Sequence, residues 1–465
     1  MNMAQASRWP QLAACFARLG MPVAVVDLET TGGNMYEDRV TEVALLRFEG
    51  GKITQHQWLV NPEQPISPFI TRLTGIDDEM VASAPVFTEL APMLLPLLRG
   101  TLVVAHNSRF DYTFLRHEFR RAGVCFAAPA LCTVQLSRRL YPEFHKHNLD
   151  SIIERFDLAV ESRHRAMADV LVLADFLEKS IAQAGAQAWD EHSRALMNPK
   201  MLPARLPAAL AAQIYALPDA HGVLVWLDAR GQVLALAAHE KTFYETATAL
   251  HAKQPPVYTQ QAASVRFVPA LGPLHALWLK AQLLAEYHLR PSESGRTYLT
   301  VQFAPDERAR LQARIVPLSN GSHVCRPNGL FLHKKKARQA LVEWAHAHLL
   351  CPASLDLLPG TYAKGQPCPL LAAGQCSGQC QGEAGVQAQN KRIGEQAAWL
   401  PVADWGGAHE VEITERDELS GQSVALRCAG GALELPDGRW YFDDALPAVL
   451  KAKFKQGKKA VKVLG

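Results

Sequence analysis

The sequence predicts an α/β protein of several domains, on three observations. Apolar runs of strand length alternate with helical stretches over the first 185 residues. The first of these runs, Val23-Ala-Val-Val26, leads directly into two carboxylates, Asp27 and Glu29. At 465 residues the chain is long enough for about two to four domains.

Composition narrows the class. Hydrophobic residues make up 48% and charged residues 20%, the ordinary balance of a water-soluble globular chain. A net charge of +3 is too small to argue for nucleic acid, so any basic surface must be local. No stretch is long and apolar enough to span a bilayer, which predicts no membrane partner. Arg8 and Arg18 flank short apolar pieces that read as an amphipathic helix, not a signal peptide. Of nine cysteines, Cys15, Cys125, Cys132, Cys325 and Cys428 are scattered and four cluster between 351 and 380. That distribution suits a reducing cytoplasm and a metal site better than a disulfide framework.

Taken in order, Val23 to Val26 is a buried strand. Asp38 to Glu49 is a second strand, Gly50-Gly51 a hairpin turn and Ile53 to Val60 a third strand, giving an antiparallel meander. Pro62, Pro65 and Pro68 interrupt the chain, and Thr88 to Leu98 is a helix with an internal Pro96. Thr101 to His106 is a fourth strand. Asn107-Ser108 can cap the next helix, with Asp111 in its first turn and Phe114, Leu115 and Phe119 as its apolar stripe. Leu149 to Phe156 is a helix, and His164 stands at the start of another that contains Asp169.

Side chains alternate along a strand, so Asp27 and Glu29 point the same way. Two acids on one face repel unless a cation sits between them, and a divalent metal is the usual answer. The competing reading is two solvated acids at a strand end. The order D-x-E, then His106-Asn-Ser-Arg-Phe-Asp111, then His164-x4-Asp169 resembles the DEDDh family of 3′→5′ exonucleases, which contains the epsilon subunit of DNA polymerase III. Leu73-Thr-Gly-Ile-Asp-Asp-Glu-Met80 is similar to that family's loop between sheet and helix.

The resemblance implies a ribonuclease H-like fold with a mixed five-stranded sheet. It implies that Asp27, Glu29, Asp111 and Asp169 hold two Mg²⁺ or Mn²⁺ ions, and that His164 is the general base. It also implies that Leu28, Thr30 and Thr31 lie under the terminal nucleotide, with His106 and Asn107 shaping the pocket. The chain departs from the family at Cys132-Thr133, where an acid often precedes the Thr.

Residues 186–206 are Ala- and Pro-rich and read as a linker. Beyond them, Gly222 to Leu236 reads as a hairpin around an Asp-Ala-Arg-Gly turn, and Leu271 to Tyr287 as a helix. This layout resembles the GIY-YIG nuclease domain of UvrC and Cho-type endonucleases. The family's catalytic residues are missing. Leu224 stands where the first motif has Tyr, Ala235 and Ala237 where the second has Tyr and Gly, and Lys280 where a metal-binding Glu is expected. No counterpart of the helix arginine occurs near Lys241 to Thr246. The expectation is a degenerate domain that keeps the fold, or else an unrelated small α/β domain.

Cys351, Cys368, Cys376 and Cys380 offer four thiolates, enough for Zn²⁺ or a 4Fe–4S cluster, though no C-x2-C pair is present. The segment 367–382 resembles the cysteine region of UvrC and Cho-type proteins, which implies an iron–sulfur cluster. The alternative is four reduced cysteines without metal. Lys334-Lys335-Lys336 with Arg338, and the tail from Lys451 to Lys462, are basic runs that suit phosphates or a solvated surface equally. Val411 to Tyr441 alternates as a small β-rich cap.

The sequence therefore predicts an N-terminal helix (1–20), a DEDDh exonuclease domain (21–185), a linker (186–206), a degenerate GIY-YIG-like domain (207–320), a helical cysteine region (321–400) and a β-rich cap with a basic tail (401–465). The expected activity is metal-dependent removal of nucleotides from DNA 3′ ends, in repair or proofreading. The resemblances imply DNA, single-stranded or at a 3′ end, as partner, together with a DNA polymerase or excision-repair proteins. Trimming of RNA ends, and a scaffold that binds DNA or repair proteins through the C-terminal half, are the alternatives.

Overall fold

The computed structural model describes residues 8–160, 163–291, 297–324, 326–358, 368–376, 378, 382–402, 410–417, 420–455 and 461–464. The chain divides into two compact units. One holds the described residues of Met1–Ala220, Leu224–Leu234 and His239–Phe267, and the other those of His221–Val223, Ala235–Ala238 and Val268–Gly465.

The first unit is built on a five-stranded sheet of β1 (Val23–Thr30), β2 (Val40–Glu49), β3 (Lys52–Leu59), β4 (Leu102–Ala105) and β5 (Ala130–Cys132), in the order β3-β2-β1-β4-β5. β2 and β3 form the antiparallel meander with β1, while β4 and β5 add on parallel, so the sheet is mixed. Parallel addition needs a crossover, and the helices Phe87–Leu98 and Arg109–Arg121 supply it.

The pleat sorts β1 between two cores. Ala24, Val26 and Leu28 face the side covered by Phe87–Leu98 and Arg109–Arg121, together with Leu90, Phe114 and Phe119. Val23 and Val25 face the other side, covered by Pro10–Ala17 and Ala166–Ala184, together with Phe16, Val170 and Phe176. Each large apolar side chain buried this way contributes roughly 1.5–3 kcal/mol. Asp27 and Glu29 share the parity of Val23 and Val25, so they emerge on the face that carries the helix Ala166–Ala184.

The expected N-terminal helix is present as Pro10–Ala17, with Leu12, Cys15 and Phe16 buried. The stretch 186–206 differs from an open linker. It begins with the helix Ala186–Leu196, whose Trp189 is fully buried, packs at a tilt against Phe16 and donates its indole N–H to Ser180 Oγ at 3.0 Å. Ala-rich composition concealed this helix because one tryptophan supplies most of its anchoring area.

Farther along, Gly222–Leu227 and Val233–His239 form the expected hairpin, and Asp228 caps its turn by accepting from the N–H groups of Arg230 and Gln232. The second unit contains the helix Pro273–Glu286 and a three-stranded sheet in which Tyr298–Pro305 lies between Leu311–Leu318 and Asn328–Phe331. It also contains a six-stranded sheet in which Val411–Arg416 pairs antiparallel with Ser423–Ala429, within the stretch 411–441 whose alternation reads as strand. Among the described residues, no helix is long and apolar enough to cross a membrane.

Candidate active site

Asp27, Glu29 and Asp169 bring one carboxylate oxygen each within 4.8 Å of one another. The first two come from β1 by its two-residue repeat, and the third from the first turn of Ala166–Ala184. Asp111 is buried in the first turn of Arg109–Arg121 and lies outside that spacing. Its charge nonetheless acts strongly on Asp27, so all four acids share one electrostatic environment.

That environment opposes ionisation. Burial, then the charges of Asp111, Asp169 and Glu29, hold Asp27 well above the usual carboxylate range. Burial and the charges of Asp169, Glu42 and Asp111 push Glu29 up to about 8. Asp111 is pushed up to about 7 by burial, against the backbone N–H groups of Asp111 itself and Leu28 that favour its anion. Burial raises Asp169 as well, although Arg163 and His164 pull the other way. Three clustered oxygens with this much unmet repulsion fit a hard divalent cation bound through oxygen.

One cation already faces the cluster. Arg163 donates to Asp169 Oδ1 and, at 2.8 Å, to Asp150 Oδ1. His164 follows at φ +58°, a left-handed conformation that a side chain with a Cβ adopts at a cost of about 1–2 kcal/mol. Its backbone N–H is one of the donors that favour the Asp169 anion.

The residues expected around a terminal nucleotide border the same region. Leu28, Thr30 and Thr31 are buried at the end of β1. Thr31 Oγ1 donates to Asp38 at 3.2 Å and accepts from Gln64 at 2.5 Å. Gly32 is required here, because a Cβ would stand 2.4 Å from the Asp38 carboxylate. His106 meets Thr133 Oγ1 through Nδ1 at 2.9 Å, while its buried Nε2 meets no hydrogen-bond partner among the described residues. Burial lowers its pKa to about 4, so it is neutral at pH 7. Asn107 is exposed with φ +67°.

Sequence reasoning missed Arg163, Asp150, Glu42 and Arg165. Arg163 adjoins His164 and was open to notice on that ground. Glu42 was not, because its place opposite Glu29 depends on how β1 and β2 pair, which neither strand's own spacing encodes.

The cysteines behave differently. Among the described residues, Asp27, Glu29 and Asp169 are the one group of three or more metal-type side chains at ligand spacing. Cys351, Cys368 and Cys376 form no disulfide and are not gathered to that spacing, and Cys380 lies outside the described residues. Lys280, at the position where a metal-binding Glu was expected, donates to buried Asp443 at 2.8 Å. Leu224 is fully buried in its strand.

This sheet order and acid cluster define a ribonuclease H-like exonuclease fold in the first unit. Comparison with known proteins makes the assignment particular: residues 24–177 match the exonuclease family RNase_T, and residues 298–398 match the middle domain of UvrC/Cho excinucleases. The second match starts well before residue 321, where the cysteine region was expected to begin. A PolC-type DNA polymerase III of Caldanaerobacter subterraneus is 34% identical over 187 residues, 39% of this chain and 13% of the relative. The 3′-5′ exonuclease DinG of Bacillus subtilis is 36% identical over 164 residues, 33% of this chain and 17% of the relative. The chain thus spans less than a fifth of the length of these relatives. A solved structure of Exonuclease X with 5′ overhanging duplex DNA is 26% identical, covering 37% of this chain and 99% of that one, with a TM-score of 0.30.

Proposed function

We propose that this chain is a DEDDh-type, metal-dependent 3′→5′ exonuclease that removes nucleotides from DNA ends, in repair or proofreading. The observation that carries this is the cluster of Asp27, Glu29 and Asp169 within 4.8 Å, inside the segment that matches the exonuclease family. Asp27, Glu29 and Asp169 would hold divalent Mg²⁺ or Mn²⁺, with Asp111 completing the set from the opposite helix. When bound, the ions supply Lewis acidity toward the phosphate oxygens. His164 takes the proton of the attacking water on a ring nitrogen. Leu28, Thr30 and Thr31 seat the terminal nucleotide, and His106 and Asn107 bound the pocket. Neutral His106 offers Nε2 to a substrate hydroxyl or base without adding charge.

The remainder of the chain serves, on this reading, as a DNA- or repair-protein-binding region in the cytoplasm. The hairpin and helix after residue 207 are a GIY-YIG-like domain whose nuclease chemistry is lost at Leu224, Ala235, Ala237 and Lys280. The cysteines at 351, 368, 376 and 380 are its candidate iron–sulfur or zinc ligands.

The test is hydrolysis of 5′-labelled single-stranded and duplex oligonucleotides with Mg²⁺ or Mn²⁺. A ladder shortening from the 3′ end is expected, with Asp27→Asn lowering the rate on the order of 10³-fold or more. Faster cleavage of matched RNA would replace DNA by RNA as substrate, and absence of hydrolysis on both would overturn the enzymatic reading.

A further inference from the structure

Glu42 is fully buried on β2, directly across the strand pair from Glu29. A lone carboxylate in such a place is strongly destabilising, so its partners matter. Oε1 accepts from Arg165 Nη2 at 2.8 Å and from Gln57 Nε2 at 2.8 Å. Oε2 accepts from Arg165 Nε at 3.2 Å and from the backbone N–H of Ala166 at 2.9 Å. Four donors therefore engage its two oxygens, which leaves it poorly suited to bind a metal although it neighbours Glu29.

The two residues it grips come immediately after His164. Ala166 opens the helix Ala166–Ala184, and its N–H is one of the unsatisfied donors every helix start presents. Glu42 satisfies that donor from another strand. The fork of Arg165 on a carboxylate fixes orientation as well as distance. On the other side of His164, Arg163 is tied to Asp150 and Asp169. The left-handed His164 is thus held between two anchored neighbours.

We propose that Glu42 is a positioning residue: through Arg165 and Ala166 it fixes the turn that aims His164 at the acid cluster. This rests on the exonuclease reading, in which His164 takes the water proton.

The experiment pairs Glu42→Gln with His164→Ala in the full chain. Glu42→Gln is expected to lower kcat about 30-fold, a part of what a general base supplies, with KM changed less than about threefold. In the His164→Ala background the same change should cost less than about twofold. Amide hydrogen exchange of the metal-free protein should quicken at 163–168 and stay unchanged at 23–30. Mn²⁺ affinity should stay within about threefold of the parent. Multiplicative losses in the double variant, unchanged exchange at 163–168, or Mn²⁺ binding weakened about tenfold or more would each overturn the proposal. If the parent hydrolyses neither DNA nor RNA, the exonuclease reading falls by itself, and the exchange measurement still decides whether Glu42 holds the turn. If Glu42→Gln does not fold, Arg165→Lys takes its place, keeping the charge while losing the fork.

Discussion

Two buried sites in this molecule hold carboxylates beside a cation and differ in charge balance. In the first unit, Asp27, Glu29, Asp111 and Asp169 share one environment with Arg163, and every one of the four is pushed toward its protonated form. In the second unit, Asp443 meets Lys280 at 2.8 Å and Tyr441 Oη at 3.1 Å. Burial would raise that carboxyl too, but the Lys280 ammonium and its hydrogen bonds hold it below the ordinary range. One acid balanced by one ammonium needs nothing more. Four acids against one guanidinium leave charge to be met from outside, which is what a metal-dependent site requires.

The comparison breaks most visibly in activity. His164→Ala should lower hydrolysis about 10²–10⁴-fold in single-turnover assays, the usual share of a general base. Lys280→Met should leave hydrolysis by the folded protein within about twofold. An equal loss in both variants would mean that the second cluster is not merely structural.

Stability should show the reverse order. Lys280→Met strands Asp443, which is 1% exposed, and breaking such a pair costs about 3–5 kcal/mol. Urea unfolding followed by circular dichroism measures this. Replacing both partners, Lys280→Met with Asp443→Leu, should recover much of the loss. A single variant as stable as the parent would contradict the assigned pairing.

A smaller effect sharpens the contrast through pH. The folded acids of the first cluster hold protons that the unfolded chain has released. Stability present at low pH is therefore lost as pH rises from 4.5 to about 8 through Glu29, and from 3.8 to about 7 through Asp111. The melting temperature of EDTA-treated protein should fall by a few degrees between pH 5 and pH 8. Mg²⁺ should flatten that slope, and Asp27→Asn should reduce it. A melting temperature that climbs over this range would show that the acids are already neutralised within the protein.

Much of this site is written locally. Alternation places Asp27 and Glu29 on one face, a helix start presents Asp111, although Ser108 at the cap position makes no capping side-chain hydrogen bond, and the H-x4-D spacing sets His164 and Asp169 within one helical entry. Four strands of the sheet are legible from the hairpin Gly50-Gly51 and the apolar runs around it, while the short fifth strand, Ala130–Cys132, carries no such local pattern. These features depend on residues within a few positions of one another, so the chain's own order reveals them.

Other features were settled only by contacts between distant segments. The helix at 186–196 is anchored through buried Trp189, which packs against Phe16 from the other end of the unit's sequence. The Glu42–Arg165 fork looks like two ordinary surface charges until the chain folds, since it joins residues 123 positions apart. Lys280 likewise gains its meaning from Asp443, 163 positions along. By itself the sequence determined the fold and put Asp27 and Glu29 on one strand face, whereas Asp169 but not Asp111 comes within 4.8 Å of them only in the folded chain. Tertiary structure decided how far their charge is balanced, because neutralisation at a buried site depends on separations in space that chain spacing does not encode.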